Sequence, residues 1–131
     1  MSRLLLSVAL LLTGCPGDRA EKSEAAAIDR AIDALRDAPN ETKSGALSAL
    51  RSLPCSSPEI CGAQSACVAG YEIHVSGITA LERAKQLAVQ GDAGTELGAA
   101  LSSARATLER AKPLTERCAD AQGELARKYR L

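Results

Sequence analysis

The sequence predicts an all-α fold: a small disulfide-stapled helical bundle, with a long antiparallel helical hairpin and two shorter helices packed on it. Three observations predict this. Apolar residues recur at spacings of three and four along most of the chain. Alanine and leucine dominate, Phe and Trp are absent and only two Tyr occur, so helices approach closely but bury little area per contact. Such a core benefits from covalent staples, and four of the five cysteines, Cys55, Cys61, Cys67 and Cys118, supply them.

The first helix spans roughly 22–38, because Ile28, Ala31, Ile32 and Leu35 share one face while Asp29, Arg30, Asp33 and Arg36 take others. Pro39-Asn40 stops it, and Asn40 is suited to cap the next helix. The second helix spans roughly 41–53, with Ala46, Leu47, Leu50 and Leu53 inward and Pro54 ending it. The stretch PCSSPEICG, 54–62, reads as a loop. A third, long helix follows over 63–89, then a turn at GDAG, 91–94, and a last helix starting near Thr95.

The last helix carries a heptad-like seam through Leu97, Leu101, Ala104, Leu108, Ala111, Thr115, Cys118, Gln122, Leu125 and Tyr129. The helix before it offers Cys67, Tyr71, His74, Ile78, Leu81, Ala84 and Ala88. Folded about the turn, residues whose numbers sum to about 185 face one another. Cys67 then meets Cys118, and Cys55 is left with Cys61. In the chain-entropy model these bonds contribute about 4 and about 2 kcal/mol. The rival pairing, Cys61–Cys118 with Cys55–Cys67, needs an earlier helix start or a slipped register. A four-thiol zinc site lacks the close cysteine pairs that zinc motifs use.

Two features interrupt this pattern. Ala63, Gly70, Gly77 and Ala84 form a small-residue stripe beside the seam. It is expected to take close packing of one of the first two helices, or to form a docking groove for a partner's helix, with Gly70, Gly77, His74 and Tyr71 as candidate partner-binding residues. Pro113 removes the amide that would bond the carbonyl of Glu109, so the last helix should kink or break there.

The opening MSRLLLSVALLLTGC has positive charge at Arg3, an apolar run from Leu4 to Leu12, and Thr13-Gly14 before Cys15. Nine helical residues rise about 14 Å, half a bilayer's hydrocarbon core, so the run suits a signal peptide and not a membrane span. Leu12-Thr13-Gly14-Cys15 resembles the lipobox of bacterial lipoproteins. The resemblance implies that residues 1–14 are removed and that Cys15 carries palmitate-type acyl chains. Two or more chains anchor stably, so it implies a lipid bilayer as partner through Cys15 and a cell-envelope location. That location is the outer membrane, facing the periplasm or exterior, in preference to the inner. Residues 15–24 then read as a lipidated flexible tether, and 25–131 as the helical domain.

Composition narrows the function. With Arg3 removed, about 15 basic side chains stand against 16 acidic, without the clustered basic excess that nucleic acid requires. His74 is the single histidine, no cysteine is spare as a nucleophile, and no glycine-rich phosphate loop is visible. Glu82, Glu109, Glu116 and Glu124 alternate with Lys and Arg as on a wet helix surface. These features predict no enzyme, no metal and no cofactor. The expected function is an envelope scaffold or adaptor binding another envelope protein. The alternatives are a small-ligand or metal-binding module near His74, Tyr71 and Pro113, or an inhibitor of an extracytoplasmic enzyme. An enclosed pocket at His74 and Tyr71 would favour the ligand module; an exposed small-residue stripe would favour the adaptor.

Overall fold

The computed structural model describes residues 16–91 and 94–131, which form four helices: α1 (Pro16–Asp37), α2 (Asn40–Ser52), α3 (Pro58–Val89) and α4 (Thr95–Tyr129). Cys15 and the signal-peptide segment lie outside the described residues. Among the described residues there is no strand, and no helix is long and apolar enough to cross a membrane.

Helix boundaries follow local chemistry. Residues 16–24, expected as a tether, instead form the first turns of α1. Proline is tolerated in a first helical turn, where its missing amide has no partner to lose, and the charged residues that follow are good helix formers. Tertiary contacts hold this segment: Tyr129 Oη donates to Glu21 Oε2 at 3.2 Å, and Ser56 Oγ donates to Glu24 Oε1 at 3.1 Å. At α2, Asn40 is the first helical residue and Pro39 stands in the cap position without a side-chain bond, so the expected Asn40 cap does not form. The stretch 54–62 is only half loop. Pro58 opens α3, and the Ser57 hydroxyl accepts from the Ile60 amide at 3.4 Å. Gly91, at φ 84°, supplies the left-handed residue just beyond α3. Helix α4 runs unbroken through Pro113, which excludes a break there.

At about 1.5 Å per residue, α3 and α4 are rods about 48 and 52 Å long, whereas α1 and α2 reach only about 33 and 20 Å. The four helices meet at one end of the hairpin. Ala25, Ile28, Ile32 and Leu35 of α1 are fully buried there with Leu50, Ile60, Cys67 and Cys118. Among the described residues, hydrogen bonds and ion pairs from α1 and α2 reach along α3 no further than Glu72, and along α4 no further than Gln122. Beyond that root the hairpin continues as a two-helix arm.

The disulfides are Cys67–Cys118 and Cys55–Cys61. The first bolts α3 to α4 at the root, with Cα atoms 4.4 Å apart. The second ties the loop before α3 to its first turn.

Candidate functional site

The small-residue stripe lies inside the hairpin and not beside it. A Cβ placed on Gly70 would stand 2.8 Å from the carbonyl oxygen of Leu114 and 3.0 Å from the amide nitrogen of Thr115. One placed on Gly77 would stand 2.6 Å from Leu108 Cδ2. Helix α4 therefore occupies the groove expected for a first or second helix or for a partner, and it covers Gly70 and Gly77. The facing rule survives the rotation: residues 70 and 115, and 77 and 108, sum to 185 as 67 and 118 do. Towards the turn the seam thins, with Ala88 exposed and Leu101 47% exposed.

Tyr71 and His74 are also packing residues. Tyr71 is buried, and the two rings meet edge to face with centroids 5.9 Å apart. The Lys43 ammonium lies 5.7 Å from the Tyr71 centroid. Burial lowers the His74 pKa below its usual value, and the nearby Lys43 charge lowers it further. Grooves with defined linings open elsewhere.

Three buried polar side chains hold the root together. Lys43, 6% exposed, donates from Nζ to the carbonyls of Leu35 at 2.9 Å and Arg36 at 3.0 Å, closing the C-terminal end of α1. Gln64 donates to Leu50 and Leu53 carbonyls at 2.8 Å each and closes α2 the same way. Gln122 donates to Asp29 Oδ1 at 2.8 Å and Asp33 Oδ1 at 2.9 Å while accepting from Arg36, which ties α4 to α1. Among the described residues no buried side-chain nitrogen or oxygen lacks a partner. Neither Lys43 nor Gln64 carries a distinguishing mark in the amino-acid sequence. Gln122 carried one signal, as a polar residue on a mostly apolar seam.

Two grooves follow the hairpin face away from α1 and α2. The outer one, about 570 Å³, is lined by Ala80, Ala99 and Ala100 together with Ser76, Thr79 and Ser103. Arg83 and Glu96, 3.6 Å apart, cross its tip end. The inner one, about 380 Å³, lies between Gly62, Ala63, Ala121 and Leu125. Its rim is the exposed pair Lys128 Nζ–Glu59 Oε1 at 2.6 Å, whose bond lowers the Glu59 pKa and raises that of Lys128.

Chemically the arrangement offers a surface. All four described thiols are committed to disulfides, and no group of three metal-ligating side chains occurs among the described residues. The fold defines a small, disulfide-stapled, all-α bundle with a projecting two-helix arm. Comparison with protein families, curated proteins and solved structures finds no match for the chain.

Proposed function

We propose that the protein is a lipid-anchored, non-enzymatic scaffold or adaptor of the cell envelope. In this reading acylated Cys15 holds it to a bilayer, on the outer membrane in preference to the inner, and the arm engages another protein. The observation that carries the reading is the arm itself: a two-helix rod, bolted at its root by Cys67–Cys118, whose outer groove is lined by alanine, serine and threonine. The proposed contact surface is this outer face, in place of Gly70 and Gly77.

The test is membrane fractionation and site-specific photo-crosslinking from position 103 in intact cells, with Cys15 present and with Cys15→Ser. The expected result is membrane recovery that depends on Cys15, together with a discrete crosslinked protein that disappears when Ser76 is replaced by Lys. Membrane recovery indifferent to Cys15 would remove the anchor. Crosslinks absent from position 103 would remove the arm as the docking element.

A further inference from the structure

The ring closed by Cys55–Cys61, residues CSSPEIC, is where both ends of the described chain are held. Ser56 donates its amide, and its hydroxyl at 3.1 Å, to Glu24 Oε1 on α1. Ser57 Oγ lies 3.3 Å from Tyr129 Oη on α4, and Tyr129 Oη in turn donates to Glu21 Oε2 on α1 at 3.2 Å. Glu59 Oε1 accepts from Lys128 Nζ on α4 at 2.6 Å. Ser56, Ser57 and Glu59 thus tie the ring to two other helices. The first turns of α1 have little else to dock them. Residues 17–24 are exposed or half-buried, and burial in the core begins at Ala25. A helical stretch this short is marginal in water on its own, so its position depends on Glu21 and Glu24, and through them on the ring.

The two disulfides differ in access. Cys67 and Cys118 are 0% and 2% exposed, inside the core, whereas Cys55 and Cys61 are half-buried at its edge. Thiol–disulfide exchange needs an attacking thiolate to reach a sulfur, so only the ring is open to it. The two sulfurs of the ring also differ. Cys61 is the fourth residue of α3, where the amides at the helix start stabilise a thiolate, and Cys55 lies in the loop. Cys61 is therefore the better leaving group, and attack falls on Cys55.

We infer that Cys55–Cys61 is a reducible clasp that sets whether the first turns of α1 are docked or free, with a dithiol as its reductant. One thiolate of the dithiol attacks Cys55 Sγ, forming a mixed disulfide and expelling Cys61 as thiolate. The second thiolate attacks the reductant's own sulfur in that bond and expels Cys55. The dithiol leaves as a cyclic disulfide, having given up two electrons and two protons, and the two cysteines become thiols. Residues 54–57 then regain the freedom of an open loop, and Ser56 and Ser57 are no longer fixed opposite Glu24 and Tyr129. The change stays local. Ile60 is fully buried, Gln64 still holds the Leu50 and Leu53 carbonyls, and Cys67–Cys118 still bolts the hairpin. The inference goes beyond the adaptor reading and stands with or without acylation of Cys15. Under the anchored reading, opening the clasp frees residues 16–24 between lipid and bundle, about 30 Å of extended chain.

The test treats the oxidised full chain, in detergent, with graded dithiothreitol under native conditions. Alkylation and peptide mass spectrometry follow each cysteine pair, and amide hydrogen exchange follows α1. Cys55 and Cys61 should be alkylated about tenfold or more faster than Cys67 and Cys118. At a dose that opens only the first pair, exchange of the amides of residues 21–25 should rise about tenfold or more, while that of residues 32–36 stays unchanged. Cys55→Ser with Cys61→Ser, shown by circular dichroism to be folded, should have the raised exchange without reductant and no further response at that dose. Opening of both pairs at one rate, exchange over 21–25 unmoved by selective reduction, or a double variant that still responds to that dose would overturn the inference. Because the readout needs neither a membrane nor a partner protein, failure of the anchor or of the adaptor reading leaves it intact.

Discussion

Replacing Gly70 by alanine separates close packing from helix propensity. In an open helical position Gly→Ala stabilises by up to about 1 kcal/mol, because alanine loses less backbone freedom on folding. Gly45, in the middle of α2, has nothing within 4 Å of a built Cβ and provides that reference. At Gly70 the new methyl meets backbone: the Leu114 carbonyl oxygen at 2.8 Å, its carbon at 2.9 Å and the Thr115 nitrogen at 3.0 Å. Backbone cannot rotate away, so relief to ordinary contact requires the helices to part by about half an ångström. The Cys67–Cys118 bond, one turn away, resists that movement. Overpacking of this kind costs about 1–3 kcal/mol, and the propensity gain offsets part of it. The expected net loss is about 1–2 kcal/mol, or a fall in Tm of about 4–8 °C. At Gly77 the obstacle is the Leu108 side chain, at 2.6 and 2.7 Å, which can change rotamer. Gly77→Ala should therefore cost less than Gly70→Ala. The assay is urea and thermal unfolding of the oxidised protein followed by circular dichroism. The order should be Gly45→Ala above wild type, then Gly77→Ala, then Gly70→Ala. If Gly70→Ala is as stabilising as Gly45→Ala, the helices are not in backbone contact there and the reasoning fails.

Three further expectations concern the root. Cys118→Ala with Cys67→Ala should lower stability by about 4 kcal/mol, and Cys55→Ala with Cys61→Ala by about 2; urea midpoints at constant m-value measure both. Lys43→Met removes the donor to the Leu35 and Arg36 carbonyls while keeping the side chain's length, and should cost about 1–3 kcal/mol in the same assay. His74 titrates lower in the folded protein than in the unfolded chain, because burial and then the Lys43 charge disfavour its cation. The unfolded state therefore takes its proton first. The contribution is neutral above about pH 6.5, and stability falls as pH drops below that value until the folded histidine is also protonated. Unfolding between pH 7.5 and 5.5 should show this slope in wild type and its loss in His74→Gln; an unchanged slope in the variant would show that His74 is not its source.

Much of the architecture could be read from side-chain periodicity and from one arithmetic constraint. The α1 stripe of Ile28, Ile32 and Leu35 was legible because a 3.6-residue repeat has one geometric meaning. The pairing of Cys67 with Cys118 was legible because antiparallel helices of known turn position leave few registers, and only one set both cysteines and apolar residues opposite. The start of α3 was misjudged at 54–62, where proline signals a loop by composition but opens a helix when a serine cap stands before it. The first turns of α1 were misjudged because polar composition alone does not distinguish a tether from a helix that finds Tyr129 and Ser56 in space.

The candidate surface was the least legible part. Reading the α3 seam from its heptad-like spacing put Tyr71 and Ile78 towards α4 and left the glycines beside it, whereas the closest approach of two helices occurs where side chains are smallest. Tyr71 instead turns to Lys43, a neighbour 28 positions away in sequence. By itself, then, the sequence determined the helices, the hairpin register and the two disulfides, since these depend on local periodicity and on distances counted along the chain. Only the tertiary structure decided which face of α3 meets α4, which buried polar groups close the helix ends, and which face of the arm is left bare. Those outcomes depend on how far α1 and α2 reach along the rods, and reach is a property of packed helices in space that no spacing within a single helix encodes.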